Sequence, residues 1–118
     1  MTIYTGALGR RIARQGYEGR RLTEVSAEWD LTIWEIGFVD SISATLGRGY
    51  YPSQKQNAIL NRIVEANGST WDQIVNEARA VQSIDEANYQ IHRINARGYG
   101  TTARHEEAIA QANEVLGR

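Results

Sequence analysis

Cysteine is absent from this chain, and proline, phenylalanine and lysine each occur once. Without cysteine, disulfide bonds and thiolate metal ligands are excluded. A single proline, Pro52, leaves long stretches of backbone free to form helices, because proline is the strongest helix breaker. The sequence also has no apolar run of membrane-spanning length and no charged-then-apolar leader, so we expect an intracellular, cytoplasmic protein with no membrane partner.

The sequence also lacks an excess of either charge. It has 13 basic and 14 acidic residues, which gives a net charge of −1. The total charge therefore gives no general attraction toward nucleic acid. All the basic residues except Lys55 are arginine. Arginine forms bidentate contacts with phosphates and carboxylates. A GC-rich coding genome would produce the same bias toward arginine. With 42% hydrophobic residues in 118 positions, the chain has enough apolar side chains for one folded domain.

Apolar residues recur at helical spacing along almost the whole chain. One stripe contains Trp71, Ile74 and Ala78, and another contains Ile84, Ala87 and Ile91. This pattern predicts an all-α fold, a compact bundle of about six helices in a single domain, 1–118. The expected helices lie near 21–29, 32–47, 54–66, 71–82, 84–96 and 103–116.

Helix start signals are dense in this sequence. Four hydroxyl residues each have Glu or Gln three positions later, which is the pattern of a capping box. They are Thr32 with Glu35, Ser53 with Gln56, Thr70 with Gln73 and Ser83 with Glu86. Gly49, Gly68 and Gly98 are expected to end helices, because glycine readily adopts the left-handed conformation found there.

One turn occurs twice, as Arg48-Gly49-Tyr50 before Ser53 and Lys55, and as Arg97-Gly98-Tyr99 before Thr102 and Arg104. The offset is 97 − 48 = 49 residues. A long offset shared by turns and apolar positions is typical of tandem units. We therefore expect a basic lead, 1–19, followed by two three-helix units, 20–67 and 69–118.

The repeated turn is also a candidate anion site. Lys55 and Arg104 are expected in first helical turns, where free backbone N–H groups already carry partial positive charge, so an anion would offset the repulsion. Ordinary helix caps and ion pairs would explain the same residues. The predicted nucleic-acid contacts of the two turns are Arg48, Tyr50, Ser53, Lys55, Arg97, Tyr99, Thr102 and Arg104.

The basic lead and its edge add five arginines against one acid, Glu18. Tyr4 and Tyr17 lie among them, and a mixture of arginine, glycine and aromatic residues suits phosphate contact and base stacking. An amphipathic helix with Tyr4, Leu8 and Ile12 on one face is the alternative. The predicted nucleic-acid contacts here are Arg10, Arg11, Arg14, Arg20 and Arg21.

The first turn and its flanking helices resemble a short helix-turn-helix element of phage-encoded accessory proteins of DNA metabolism. The residues that carry the resemblance are Phe38, Ile42, Arg48-Gly49-Tyr50, Ser53-x-Lys55-Gln56, Ile59 and Ile63. They span about a quarter of the chain, and the second turn departs from the pattern at Thr101 and His105. The resemblance implies an accessory protein near nucleic acid, in a host cytoplasm, and supplies no catalytic residue.

Catalytic and metal-binding patterns are lacking as well. No nucleophile motif or phosphate loop is present, and the two histidines, His92 and His105, have no ligand-like spacing. We therefore expect a protein without catalytic activity, cofactor or metal. It would bind nucleic acid, or alternatively act as an adaptor or inhibitor that binds a host or defence protein, or as a self-assembling component.

Two structural features would separate these functions, while the oligomeric state stays open. A continuous basic face joining Arg48, Lys55, Arg97 and Arg104 would favour nucleic acid. A large exposed patch around Trp29 or Trp34 would favour a protein partner.

Overall fold

The protein is all-α in a computed structural model that describes residues 6–118, with side chains described from residue 9 onward. The described residues form five helices and no strand, so the predicted fold class is confirmed, and the expected number of about six helices is corrected. None of these helices is both long and apolar enough to cross a membrane. The helices are α1 (Gly6–Ser26), α2 (Ile33–Gly47), α3 (Gln54–Ala66), α4 (Trp71–Arg97) and α5 (Ala103–Val115).

The chain divides into two units at a point inside α4. The first unit ends at Ala78, and the second comprises Arg79–Arg118. The first therefore holds α1, α2, α3 and the beginning of α4, whereas the second holds the rest of α4 and α5. The predicted second three-helix unit, 69–118, contains only two helices.

A buried apolar cluster holds the first unit together. Every helix of the unit contributes, and the α2 members lie three and four residues apart, on one helix face. Trp29, Leu31 and Trp71 are partly buried against this cluster. Its buried members are Leu22, Val39, Ile42, Leu46, Leu60, Ile63, Val64 and Ile74.

The helix α1 includes residues 6–19 of the expected basic lead and most of the helix expected near 21–29, so the helical alternative is confirmed for the described part of the lead. The helix buries Gln15, Gly19 and Leu22 along one face, so this segment belongs to the core of the first unit. Gly19 does not break the helix. A Cβ atom there would lie 2.7 Å from the Ser43 carbonyl oxygen, so glycine permits a close approach of α2. Tyr4 lies outside the described residues.

Several predicted helix ends are confirmed. Thr32 and Ser53 each form the predicted reciprocal capping box. At Thr70 only half of the predicted box is present among the described residues: the Thr70 hydroxyl oxygen accepts the Gln73 backbone N–H at 3.1 Å. Gly49 and Gly68 have positive φ angles of 84° and 80° beyond the ends of α2 and α3. Local hydrogen bonds and backbone preferences decide these positions.

The capping box predicted at Ser83 is wrong, because Ser83 lies inside α4. The helices expected at 71–82 and 84–96 are one helix of 27 residues. No glycine or proline separates the two apolar stripes, and the Gln82 side-chain amide donates to Glu86 one turn later at 3.2 Å. A serine alone does not stop a helix whose apolar face continues on both sides.

Candidate functional site

The first turns of α2 expose three large apolar side chains. Ile33 is 90% exposed, Trp34 63% and Ile36 46%. Trp34 also stacks on Phe38, with the ring centroids 5.3 Å apart and the planes 14° from parallel. We call Ile33, Trp34, Ile36 and Phe38 the apolar patch.

Local sequence explains the patch. Between Ile33 and Val39 only Glu35 and Gly37 are not large apolar residues, so apolar side chains surround this end of the helix. The core takes one face of α2, through Val39 and the residues that follow it at helical spacing. The capping box at Thr32 starts the helix immediately before Ile33 and so fixes which side chains point away from the core.

An apolar groove of about 290 Å³ adjoins the patch through Ile36. The end of α1, the connecting loop and the beginning of α2 form it. Its two hydroxyls already have partners, because Thr23 Oγ1 donates to the Gly19 carbonyl and Ser26 Oγ donates to the Thr23 carbonyl. The groove therefore offers mainly apolar contact, with one carboxylate. Its lining residues are Thr23, Ser26, Ala27, Trp29, Leu31, Ile36, Val39 and Asp40.

The chain segment that forms this groove is rich in acidic residues. The segment between Arg21 and Arg48 contains five acidic residues and no lysine or arginine. Asp40 lines the groove and is exposed, and within residues 6–118 it has no ion-pair partner. The acidic residues of this segment are Glu24, Glu28, Asp30, Glu35 and Asp40.

The predicted nucleic-acid residues of α1 are mostly exposed. Arg10, Arg14 and Arg20 face solvent, and the Arg20 guanidinium lies 5.0 Å from the Tyr17 ring centroid. Arg21 differs, because it is half-buried and pairs with Glu24 at 3.0 Å and with Glu77 of α4 at 3.1 Å. Its guanidinium already joins two helices of the first unit.

The first repeated turn packs against α1. A Cβ atom at Gly49 would lie 2.8 Å from Ile12 Cγ1, and the Arg11 guanidinium lies 5.6 Å from the Tyr51 ring centroid. These contacts bring α1 and this turn together. Arg48, Tyr50, Ser53 and Lys55 are all exposed in the turn and the start of α3.

Ser53 and Lys55 occupy the predicted positions at the start of α3. The Ser53 hydroxyl oxygen accepts the Gln56 N–H at 3.1 Å, and Lys55 is the second residue of the helix. Lys55 has no ion pair among the residues that the structure describes. Helix capping therefore explains the position of Ser53. No ion pair within the described residues explains why Lys55 lies in the first turn of α3.

The second repeated turn has a different geometry. Gly98 has a positive φ of 77°, as Gly49 does, but Thr102, at the N-cap position of α5, does not cap its helix as Ser53 caps α3. Thr102 has helical φ and ψ of −100° and −4° and makes no side-chain cap, and the Ala103 N–H donates instead to Thr101 Oγ1 at 3.3 Å. The second copy lacks the proline that favours an extended chain before Ser53.

The remaining predicted contacts of this turn are exposed. Arg97 ends α4 and places its guanidinium 5.6 Å from the Tyr99 ring centroid, and Arg104 is the second residue of α5. This turn belongs to the second unit, whereas the first turn belongs to the first unit. A continuous basic face that joins Arg48, Lys55, Arg97 and Arg104 stays a prediction.

A second groove, of about 370 Å³, lies between the α4 and α5 portions of the second unit. It is more polar than the first, with Arg104, His105, Glu86 and Gln90 among its lining residues. Within the described part of the chain, no three His, Asp or Glu side chains are placed to hold a metal ion.

Neither a protein-family model, nor a curated protein, nor a solved structure matches this chain.

The sequence indicated part of the candidate site. From the sequence, an exposed patch around Trp29 or Trp34 favours a protein partner, and this expectation does not include Ile33 or Ile36. The available signal was the density of large apolar residues at 33–39, because one helix face cannot bury them all.

Proposed function

We propose that this chain is a protein-binding module that docks its partner on the apolar patch and the adjoining groove. The observation that carries the proposal is the exposure of Ile33, Trp34 and Ile36 side by side with an apolar cavity. Scattered surface apolar residues are ordinary, but a contiguous group beside a groove marks an interaction surface. An adaptor or inhibitor function fits this surface.

The chemistry of the patch fits a binding interface. Tryptophan supplies a large contact area with few rotatable bonds and is enriched among the residues that dominate binding energy. Trp34 stacks on Phe38, which restricts the Trp34 side chain before a partner binds. Less side-chain entropy is therefore lost on binding.

The first prediction uses Ile33→Ser and Trp34→Ser. A partner is isolated from the native source and purified, and its affinity for each variant is then measured by titration. We expect each variant to weaken binding by about 10-fold or more, because truncation of a central apolar contact costs at least 1 to 2 kcal/mol. Ile33→Ser should leave the unfolding free energy within about 0.5 kcal/mol of the original protein, because Ile33 is almost fully exposed.

The matched control is Tyr89→Ser, which removes another large side chain that is 60% exposed but lies in the second unit. This variant should bind the partner as the original protein does. Equal affinity of the original protein, Ile33→Ser and Trp34→Ser for every purified partner would overturn the proposed function.

Nucleic-acid binding is the second candidate function. The observation in its favour is the set of exposed arginines on α1 together with the Arg11 and Arg20 guanidiniums beside tyrosine rings. Titration with single- and double-stranded DNA at several salt concentrations tests it, and Arg10→Ala should reduce the salt slope by about one phosphate contact. Arg93→Ala is the control, since Arg93 also lies over a tyrosine but was not predicted to bind. No measurable affinity at low salt would eliminate this candidate.

A further inference from the structure

The groove beside the apolar patch combines apolar walls with acidic surroundings, and this combination restricts what can occupy it. Among the residues that the structure describes, Asp40 is the only charged one that lines it, and Glu28 and Asp30 are exposed in the α1–α2 connection that forms one side. No lysine or arginine of the described part of the chain lines it. An anionic ligand or a polyanion at this surface would be repelled by these carboxylates.

The size and shape of the groove favour part of a macromolecule over a whole small molecule. Its volume of about 290 Å³ is at the small end for ligand pockets, which usually enclose most of the ligand surface. The neighbouring patch extends the apolar area along the first turns of α2, beyond the groove itself. A partner would therefore insert a few apolar side chains and cover the patch with others.

The surrounding architecture favours a helix as that partner segment. The described residues contain no strand, and hence no sheet edge to which an extended peptide could add. A groove between helical segments accepts the side-chain ridge of another helix. Helices bound in this way present apolar residues at i, i+3, i+4 and i+7.

We propose that the groove and the apolar patch bind a cationic amphipathic helix, with apolar residues on its inner face and Lys or Arg at the edges opposite Asp40, Glu28 and Asp30. This proposal rests on the proposed protein-binding function and adds the chemistry of the partner. Charge complementarity of this kind raises the association rate and excludes partners of the wrong sign.

The test uses two synthetic peptides of about 16 residues, long enough to populate a helix. Both carry leucine at the same i, i+3, i+4 and i+7 positions, and the remaining positions are mainly lysine in one and mainly glutamate in the other. Tryptophan fluorescence follows binding to the full chain at low and at physiological salt. We expect the lysine peptide to bind at least about 10-fold more tightly, with an advantage that decreases as salt rises.

Substitutions of acidic residues test whether the carboxylates at the groove cause the preference for the lysine peptide. The double variant Asp30→Asn and Asp40→Asn should weaken binding of the lysine peptide about three-fold or more and reduce its salt dependence. Glu65→Gln is the control, because Glu65 is an exposed acid on α3, outside the groove, and should leave affinity unchanged. A scrambled lysine peptide without an apolar face should bind at least about 10-fold more weakly, since charge alone does not fill the groove.

Several outcomes overturn the inference. Equal binding of the lysine and glutamate peptides, both lost in Ile33→Ser, would leave the docking function intact but refute the charge selectivity. The absence of binding by either peptide would also refute the inference, and the purified-partner experiment would then decide the docking function separately. A salt-sensitive dimer of the chain that Trp34→Ser abolishes would make a second copy the occupant instead.

Discussion

Gln15 is the most unusual residue of the first unit. It is 1% exposed, and neither Oε1 nor Nε2 has a hydrogen-bond partner among the residues that the structure describes. A buried amide without partners costs free energy, because its hydrogen bonds to water are lost on folding. Its position, one turn before Gly19 on the buried face of α1, leaves it no route to solvent.

Replacement of Gln15 by methionine should stabilise the protein. The variant Gln15→Met keeps a similar length and flexibility but removes both unpartnered polar atoms, so we expect the unfolding free energy to rise by about 1 to 3 kcal/mol. Denaturant titration measures this change. Gln111→Met, at an exposed position, should stay within about 0.5 kcal/mol. A loss of stability in Gln15→Met would show that the amide is hydrogen-bonded in the folded protein.

The packing of α1 on α2 depends on where glycine occurs in α1. Gly19 is buried, and a Cβ atom there would approach the backbone of Ser43 and the side chain of Leu46. Gly16 lies in the same helix with nothing within 4 Å of its Cβ position. Gly19 therefore permits close packing of α1 on α2, whereas Gly16 makes no such contact.

Alanine substitutions separate these two glycines. Gly16→Ala should stabilise the protein by about 0.5 to 1 kcal/mol, because alanine has the higher helix propensity. Gly19→Ala should instead destabilise it by about 1 to 3 kcal/mol, because the backbones of α1 and α2 must move apart. Thermal or denaturant unfolding of both variants provides the measurement. Stabilisation by Gly19→Ala would contradict the close helix contact.

The two units of the whole molecule have very different apolar interiors. In the first unit, leucine, isoleucine and valine side chains from every helix are fully buried. Among the described residues of the second unit, the buried apolar side chains are alanines: Ala80, Ala87 and Ala112. Alanine buries little area, and a unit of this size has a small core, so the second unit should have the lower local stability.

Hydrogen exchange along α4 tests this difference within one helix. Amides near Ile74 and Ala78, in the first unit, should exchange only through global unfolding. Amides near Ala87 and Ile91, in the second unit, should exchange through local opening. The free energy of this opening should be lower than that of global unfolding by about 1 kcal/mol or more. As a control, exchange of the same two segments is measured near the midpoint of denaturant unfolding. The amides of both segments should then exchange through global unfolding. Uniform protection along α4 in buffer would contradict the expected difference.

The sequence by itself determined the all-α class, the caps at Thr32 and Ser53 and the helix ends at Gly49 and Gly68. Each of these depends on contacts within a few residues, such as a hydroxyl bonded to an N–H three positions later, so the local sequence contains all the required information.

Only the tertiary structure decided how α1 packs and which apolar residues of α2 remain exposed. Gly19 is a packing residue because α2 lies against it. Ile33 and Trp34 form a candidate binding surface because the core takes the other face of their helix. These outcomes depend on contacts between residues far apart in the sequence, which periodicity and capping patterns do not encode.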